Sequence, residues 1–254
     1  MPKKTLGAIE LEDITKYRFP GNLKYSPDGK LLAFNATRSD VEKNCYHSDV
    51  FLIRDGSCTQ VTYSMDASFV DFENDTTLIL RRRTPEAQPG TTELFLLDVN
   101  GGEAKPWITL PFGMNRIRKV ADGLYAATGS IDSEDPDAYK DDADTRKKKA
   151  EEKKKDADYQ VVDEVPYWFN GAGFTNKRRT ALFLVKTAPA LEVRRLTAPK
   201  FNVGDMKVHG TKIFYTGNVK EMNQARTAKI FSYDTKTNKA ETIYGKNDHK
   251  ISTL

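Results

Sequence analysis

Short apolar runs alternate with Gly-, Asp- and Asn-rich turns along the chain, and the alternation has a period. Tyr25-Ser26-Pro27-Asp28-Gly29-Lys30 predicts a turn, because proline presets φ and Asp-Gly supplies a tight corner. Leu31–Phe34 then reads as a strand, Val50–Ile53 as a second, and Thr59–Thr62 as a third returning after Asp55-Gly56. The same succession follows Asn74-Asp75, with Thr77–Leu80, Leu94–Leu97, the turn Asn100-Gly101-Gly102 and Ala104–Trp107. It follows Asp122-Gly123 with Leu124–Ala127, Leu182–Val185 and Glu192–Leu196. After His209-Gly210 come Lys212–Tyr215, Ile230–Tyr233, the turn Thr237-Asn238 and Ala240–Ile243. A short helix over Leu11–Tyr17 is expected to lead in.

The outer strands carry Phe51, Phe95, Phe183 and Phe231, spaced 44, 88 and 48 residues apart, and the inner strands carry Leu32, Leu78, Tyr125 and Phe214, spaced 46, 47 and 89 apart. Both doubled gaps fall in the third unit, which therefore holds an insertion of roughly 40 residues within a repeat of about 45. Four such units predict an all-β fold. It is a β-propeller portion of about four blades of four-stranded antiparallel sheet, with blades near 20–64, 65–110, 111–200 and 201–250. A four-bladed ring and a cut through a larger ring, such as one of about seven blades, both fit. An open ring leaves raw sheet edges, so pairing with missing blades or with a second copy is expected.

The insertion spans 131–165, and its stretch 139–156 is rich in lysine. Ala, Glu and Lys favour a helix there, and the lack of an apolar stripe predicts one surrounded by water. Lys140–Asp156 holds eight basic and six acidic residues, which argues against a nucleic-acid surface. The net charge of +4 over 254 residues is diffuse and points the same way. No apolar run is long enough for a signal peptide or a membrane span, so a cytoplasmic protein with no membrane contact is expected. The two cysteines, Cys45 and Cys58, read as free thiols.

The densest chemistry lies in Asp163–Arg179, DEVPYWFNGAGFTNKRR. Trp168 and Phe169 must pack on something, while Gly171 and Gly173 permit the positive φ of a tight turn. The stretch reads either as a structural loop clamped to a sheet edge or as the border of a substrate cavity. In the second reading Asp163 or Glu164 faces a cation, with Trp168, Phe169, Asn170, Arg178 and Arg179 as substrate-binding candidates. Elsewhere no catalytic constellation is found. There is no GxSxG elbow and no phosphate-binding glycine loop, so no catalytic residue and no cofactor are assigned. His47, His209 and His249 form no HxxxH pair and are read as lacking a nearby cysteine ligand, so no metal site is assigned. Asp40, Glu42, Asn44 and Asp49 match a cation site only loosely.

The opening Glu10–Phe34, ELEDITKYRFPGNLKYSPDGKLLAF, resembles the start of the prolyl oligopeptidase family, in its acylaminoacyl-peptidase and dipeptidyl-peptidase branch. Val161–Val185, VVDEVPYWFNGAGFTNKRRTALFLV, is similar to that family's inserted propeller loop. The resemblance implies an N-terminal propeller that gates and orients short peptides for a C-terminal α/β-hydrolase domain of the same polypeptide. That domain, which carries the Ser-Asp-His triad, is absent from this chain. It also implies that Asp163-Glu164 could hold a substrate's free amino terminus, although the surrounding pattern differs. Pairing of Glu164 with Arg178 or Arg179 inside its own loop is the competing expectation. The functional alternative is a stand-alone, non-enzymatic, TolB-like propeller acting as a protein-binding scaffold.

Overall fold

The computed structural model describes residues 10–223, 225–246, 248–251 and 253–254. The expectation about a leader rests partly on residues 1–9, which lie outside the described residues. The chain divides into two compact units, Met1–Arg83 with Leu94–Trp107, and Thr84–Glu93 with Ile108–Leu254. A 3-10 helix over Leu11–Lys16 stands where the leading helix is expected.

The first sheet is β1 (Phe19–Tyr25), β2 (Leu31–Asp40), β3 (Cys45–Arg54) and β4 (Ser57–Gln60), paired in that order. The second is β5 (Ser68–Phe72), β6 (Thr77–Arg81), β7 (Thr92–Asp98) and β8 (Lys105–Leu110). The third begins with β9 (Gly113–Ala121) and β10 (Leu124–Asp132). The chain then leaves through helix α1 (Ala143–Lys155) and the small hairpin β11 (Trp168–Phe169) and β12 (Gly173–Phe174). It returns as β13 (Arg178–Lys186), which pairs with β10, and ends in β14 (Glu192–Arg195). The fourth is β15 (Phe201–His209), β16 (Lys212–Val219), β17 (Lys229–Asp234) and β18 (Lys239–Tyr244). The repeat is thus a series of four-stranded antiparallel meanders, the blade of a propeller.

The first strand of each sheet escapes the apolar pattern, for a physical reason. In all four sheets the pairing of first and second strand shifts register, between Gly21 and Lys24, Phe69 and Asp71, Thr128 and Gly129, and Val203 and Met206. A bulge of this kind breaks the two-residue alternation by which a half-buried strand is recognised. The second strands are the reverse case. Leu78, Ile79 and Leu80 are all buried, as are Tyr125, Ala126 and Ala127, because both faces of those strands are covered.

Within the first unit, Leu31 and Ala33 of β2 and Val50 and Leu52 of β3 share one core with Phe69, Leu78, Leu80 and Phe95 of the second sheet. Asn35 ties the same faces: its amide donates to the Phe69 carbonyl at 3.0 Å, and its oxygen accepts from the Phe69 N–H at 2.6 Å. Within the second unit, Ala126 and Leu182 pack with Val203, Met206, Ile213 and Tyr215. Asn202 accepts from the Thr180 N–H at 2.9 Å, so a side-chain amide again satisfies the backbone of the adjoining blade.

Helix α1 has no buried residue, as the charge pattern requires. Asp142 caps it by accepting from the Thr145 N–H at 2.7 Å. Its link to the sheet is polar. Arg146 donates to the carbonyls of Asp141, Pro111 and Tyr139 at 3.0, 3.0 and 2.8 Å, and Lys149 pairs with Asp135 and Asp141.

Gly217 and Gly129 are among the positions where blade strands approach other groups too closely for a side chain. A Cβ on Gly217 would lie 2.5 Å from both the Asn202 carbonyl oxygen and the Phe201 ring, and one on Gly129 would lie 2.3 Å from the Phe112 ring. Gly217→Ala is therefore expected to destabilise the second unit by about 1–3 kcal/mol. A lowered urea midpoint at unchanged slope would check this, and a neutral effect would show that both the Phe201 ring and the Asn202 carbonyl give way.

Candidate functional site

Arg179 is the second residue of β13, and its side chain is 1 % exposed. A buried guanidinium needs an anion and hydrogen-bond acceptors, and the inserted loop supplies the anion. Arg179 Nη1 donates to Glu164 Oε2 at 3.0 Å and Nη2 to Glu164 Oε1 at 2.5 Å, a bidentate pair. The Lys220 carbonyl accepts from Nη2 at 2.9 Å, and the Arg178 carbonyl from Nη1 at 3.0 Å. Lys220 Nζ stands 3.3 Å from Glu164 Oε2, which also accepts from the Lys177 N–H at 3.1 Å. Glu164 and Lys220 are buried as well. Burial by itself raises the Glu164 pKa. The hydrogen bond from Arg179, the Lys177 N–H, the charge of Arg179 and the hydrogen bond from Lys220 outweigh it and bring it from 4.5 to about 2.

This cluster fastens the insertion to the exit of β16. Val165 donates its N–H to the Met222 carbonyl at 2.8 Å and forms a parallel bridge with Asn223. Beyond that anchor the loop folds on itself, with Trp168 opposite Phe174 and Phe169 opposite Gly173. Gly171 and Gly173 have φ of 75° and 67°, the positive values that the sequence leads one to expect of this turn. The aromatics are displayed rather than buried: Trp168 is 52 % exposed, Phe169 45 % and Phe174 49 %. Asn170 stands exposed at the turn.

The acidic pair is divided. Glu164 is enclosed with Arg179 and Lys220, so a substrate ammonium could reach it only by displacing one of them. Asp163 stays at the surface, 2.7 Å from Lys177 Nζ, whose hydrogen bond holds the carboxyl below its ordinary pKa. Arg178, next to Arg179 on the strand, points the other way and is exposed. It lines a recess of about 250 Å³ with Phe174, Asn176, Asp132 and Lys153. Of the two competing pairings within the loop, the one formed is with Arg179. Lys220 and Asn176 were not among the sequence candidates. Lys220 lies 41 residues beyond Arg179, and only the folded chain brings it close.

Two sequence expectations change. His47 does have a nearby cysteine: its Nε2 is 3.7 Å from Cys45 Sγ, because residues two apart on a strand share a face. Of the loose acidic set, Asp49 is engaged elsewhere, its Oδ1 accepting from the Met65 N–H at 3.2 Å. Cys45 and Cys58 are both free. Among the described residues no helix is long and apolar enough to cross a membrane.

Glu164→Gln should destabilise the chain by about 3–5 kcal/mol, because Arg179 and Lys220 would then face each other without an anion. The pH dependence has a definite sign. A carboxyl whose folded pKa lies below its unfolded value contributes its stability above pH 4.5 and loses it as pH falls toward about 2. Urea midpoints should therefore drop across that interval in the native chain and change less in Glu164→Gln. Parallel curves would remove Glu164 from the acid response.

No protein-family model matches this chain, and no curated protein does. Solved structures do. Acylaminoacyl peptidase from Pyrococcus horikoshii superposes with a TM-score of 0.63 at 16 % identity, over 92 % of this chain and 34 % of that one. The tricorn protease gives 0.53 at 15 % identity, over 91 % of this chain and 19 % of its own. The β-propeller domain of the Trilobed protease from Pyrococcus furiosus gives 0.51 at 12 % identity, over 91 % and 58 %. This chain thus spans about a third of the acylaminoacyl peptidase chain it matches. At such identities the likeness concerns architecture, and with the sheets described above it makes the fold that of a β-propeller built from four-stranded antiparallel blades.

Proposed function

We propose that this chain is the N-terminal propeller portion of a serine peptidase of the prolyl oligopeptidase type. In this reading it gates and orients short peptides for an α/β-hydrolase domain carried on the same polypeptide. The observation that carries it is the anchored loop. A buried, bidentate ion pair is spent on holding out Trp168, Phe169 and Phe174, an apolar surface that calls for a partner. A free peptide or a catalytic domain fits that surface better than water does. The propeller likeness to parts of larger peptidase chains supports the same reading, as do the two stretches that resemble the family.

Within this proposal the loop residues take different roles. Trp168 and Phe169 give apolar contact to substrate side chains, and Asn170 and Arg178 offer hydrogen bonds to a peptide backbone or carboxylate. Asp163, exposed and ionised, is the carboxylate within reach of a substrate's amino terminus. Glu164 and Arg179 act as positioning residues. Acyl transfer itself would belong to the hydrolase domain, with selection by size and orientation here. No feature of the described residues favours the scaffold alternative.

The test is made on the intact product of the gene. A mass of roughly 70 kDa, against 28.7 kDa for this chain, and hydrolysis of acyl- or dipeptidyl-peptide substrates that a fluorophosphonate blocks, are expected. A product of 28.7 kDa without such activity would overturn the proposal. In the intact enzyme, Trp168→Ala should raise KM about tenfold with kcat nearly unchanged. Asp163→Asn should raise KM only for substrates with a free amino terminus. An equal effect on acylated substrates would take Asp163 out of that contact.

A further inference from the structure

A second cluster lies at the far end of the hairpin joining β2 and β3 in the first unit. Asp40 ends β2 and is the cross-strand partner of Cys45, which opens β3. His47 lies two residues further along the same strand, on the same face as Cys45. One ligand atom from each of Asp40, Cys45 and His47 lies within 4.8 Å of the other two. His47 Nε2 is 3.0 Å from Asp40 Oδ2 and 3.7 Å from Cys45 Sγ.

The convergence of both neighbours on one nitrogen decides what the trio can do. In a nucleophilic relay the imidazole meets its acid through one ring nitrogen and the thiol through the other. Here both the carboxylate and the sulfur address Nε2, which is the arrangement of donors around a common point. At ordinary zinc bond lengths on a tetrahedron an imidazole nitrogen stands about 3.3–3.4 Å from a carboxylate oxygen and about 3.6 Å from a thiolate sulfur, so the separations of 3.0 and 3.7 Å need shift by only a few tenths of an ångström to admit the ion. One thiolate and one carboxylate also balance a doubly charged cation, with the imidazole neutral. The carboxylate is held for this by a second contact: Asp40 Oδ1 accepts from the Lys43 N–H at 3.0 Å, which leaves Oδ2 turned toward His47. Asp40 and His47 side chains are 20 % and 15 % exposed, so the site is reachable yet mostly enclosed. Arg38, opposite His47 on β2, has its guanidinium engaged with Met65 Sδ at 3.1 Å.

We propose that Asp40, Cys45 and His47 bind one zinc-type divalent cation. The mixed sulfur, nitrogen and oxygen donors suit that class better than calcium or magnesium. Three protein donors leave a fourth position for water or an exogenous ligand, and the ion would clip the end of β2 to the start of β3. The proposal is independent of the peptidase reading.

The test is titration of the reduced full chain with Co²⁺, followed by Zn²⁺. A thiolate-to-cobalt charge-transfer band that saturates at one equivalent and is displaced by Zn²⁺ is expected. Cys45→Ser should abolish the band, and His47→Gln should weaken binding at least about tenfold. Cys58→Ser, which alters the exposed thiol on β4, should leave the titration unchanged. Absence of the band in the native chain, its survival in Cys45→Ser or its loss in Cys58→Ser would overturn the site. If Cys45→Ser does not fold, His47→Gln decides, and native affinity in that variant overturns the proposal.

Discussion

A guanidinium cannot stay inside a protein without an anion, and Arg179 sits inside. That constraint determines the course of the whole third blade. Once β13 carries an arginine on its covered face, the long excursion between β10 and β13 must bring a carboxylate back to the sheet, and Glu164 is the one it brings. The Lys220 carbonyl and ammonium close the cluster from the fourth blade, so one side chain links the insertion, its parent sheet and the next sheet. What lies beyond the anchor is free to be shaped for contact rather than for stability.

The blades themselves rest on a milder version of the same demand. Within each unit two sheets share one apolar core, so repeats rather than single blades form the cores. Where neighbouring sheets meet within a unit, backbone groups that no strand pairs are satisfied by side chains. Asn35 serves Phe69, Asn202 serves Thr180, and Thr92 takes the Met114 N–H at 2.9 Å. Bulges in the first strand pair of every sheet adjust the edge to this geometry.

Burial sorts the residues of the inserted loop more sharply than their chemistry does. Asp163 and Glu164 are adjacent carboxylates, and Arg178 and Arg179 adjacent guanidiniums, yet one of each pair is enclosed and the other faces water. The enclosed members hold the loop, while the exposed members, with the aromatic tip, face solvent. The charged helix α1 follows the same division: Arg146 ties it to backbone carbonyls, and the remainder stays solvated.

The all-β repeat, the place of the insertion and the helix within it are written into the order of residues. Those features depend on local periodicity, turn chemistry and propensity, which act over a few residues. That order also marks Asp163–Arg179 as the chemically dense stretch, because aromatics, glycines and paired charges are crowded there. The first strand of each blade stayed hidden, since its bulge erases the alternation. Only folding settles which carboxylate is buried, that Lys220 joins it from 41 residues beyond Arg179, and that Asp40 meets Cys45 and His47 across a hairpin. Those outcomes depend on strand register and on the desolvation of particular atoms, which residue spacing does not encode.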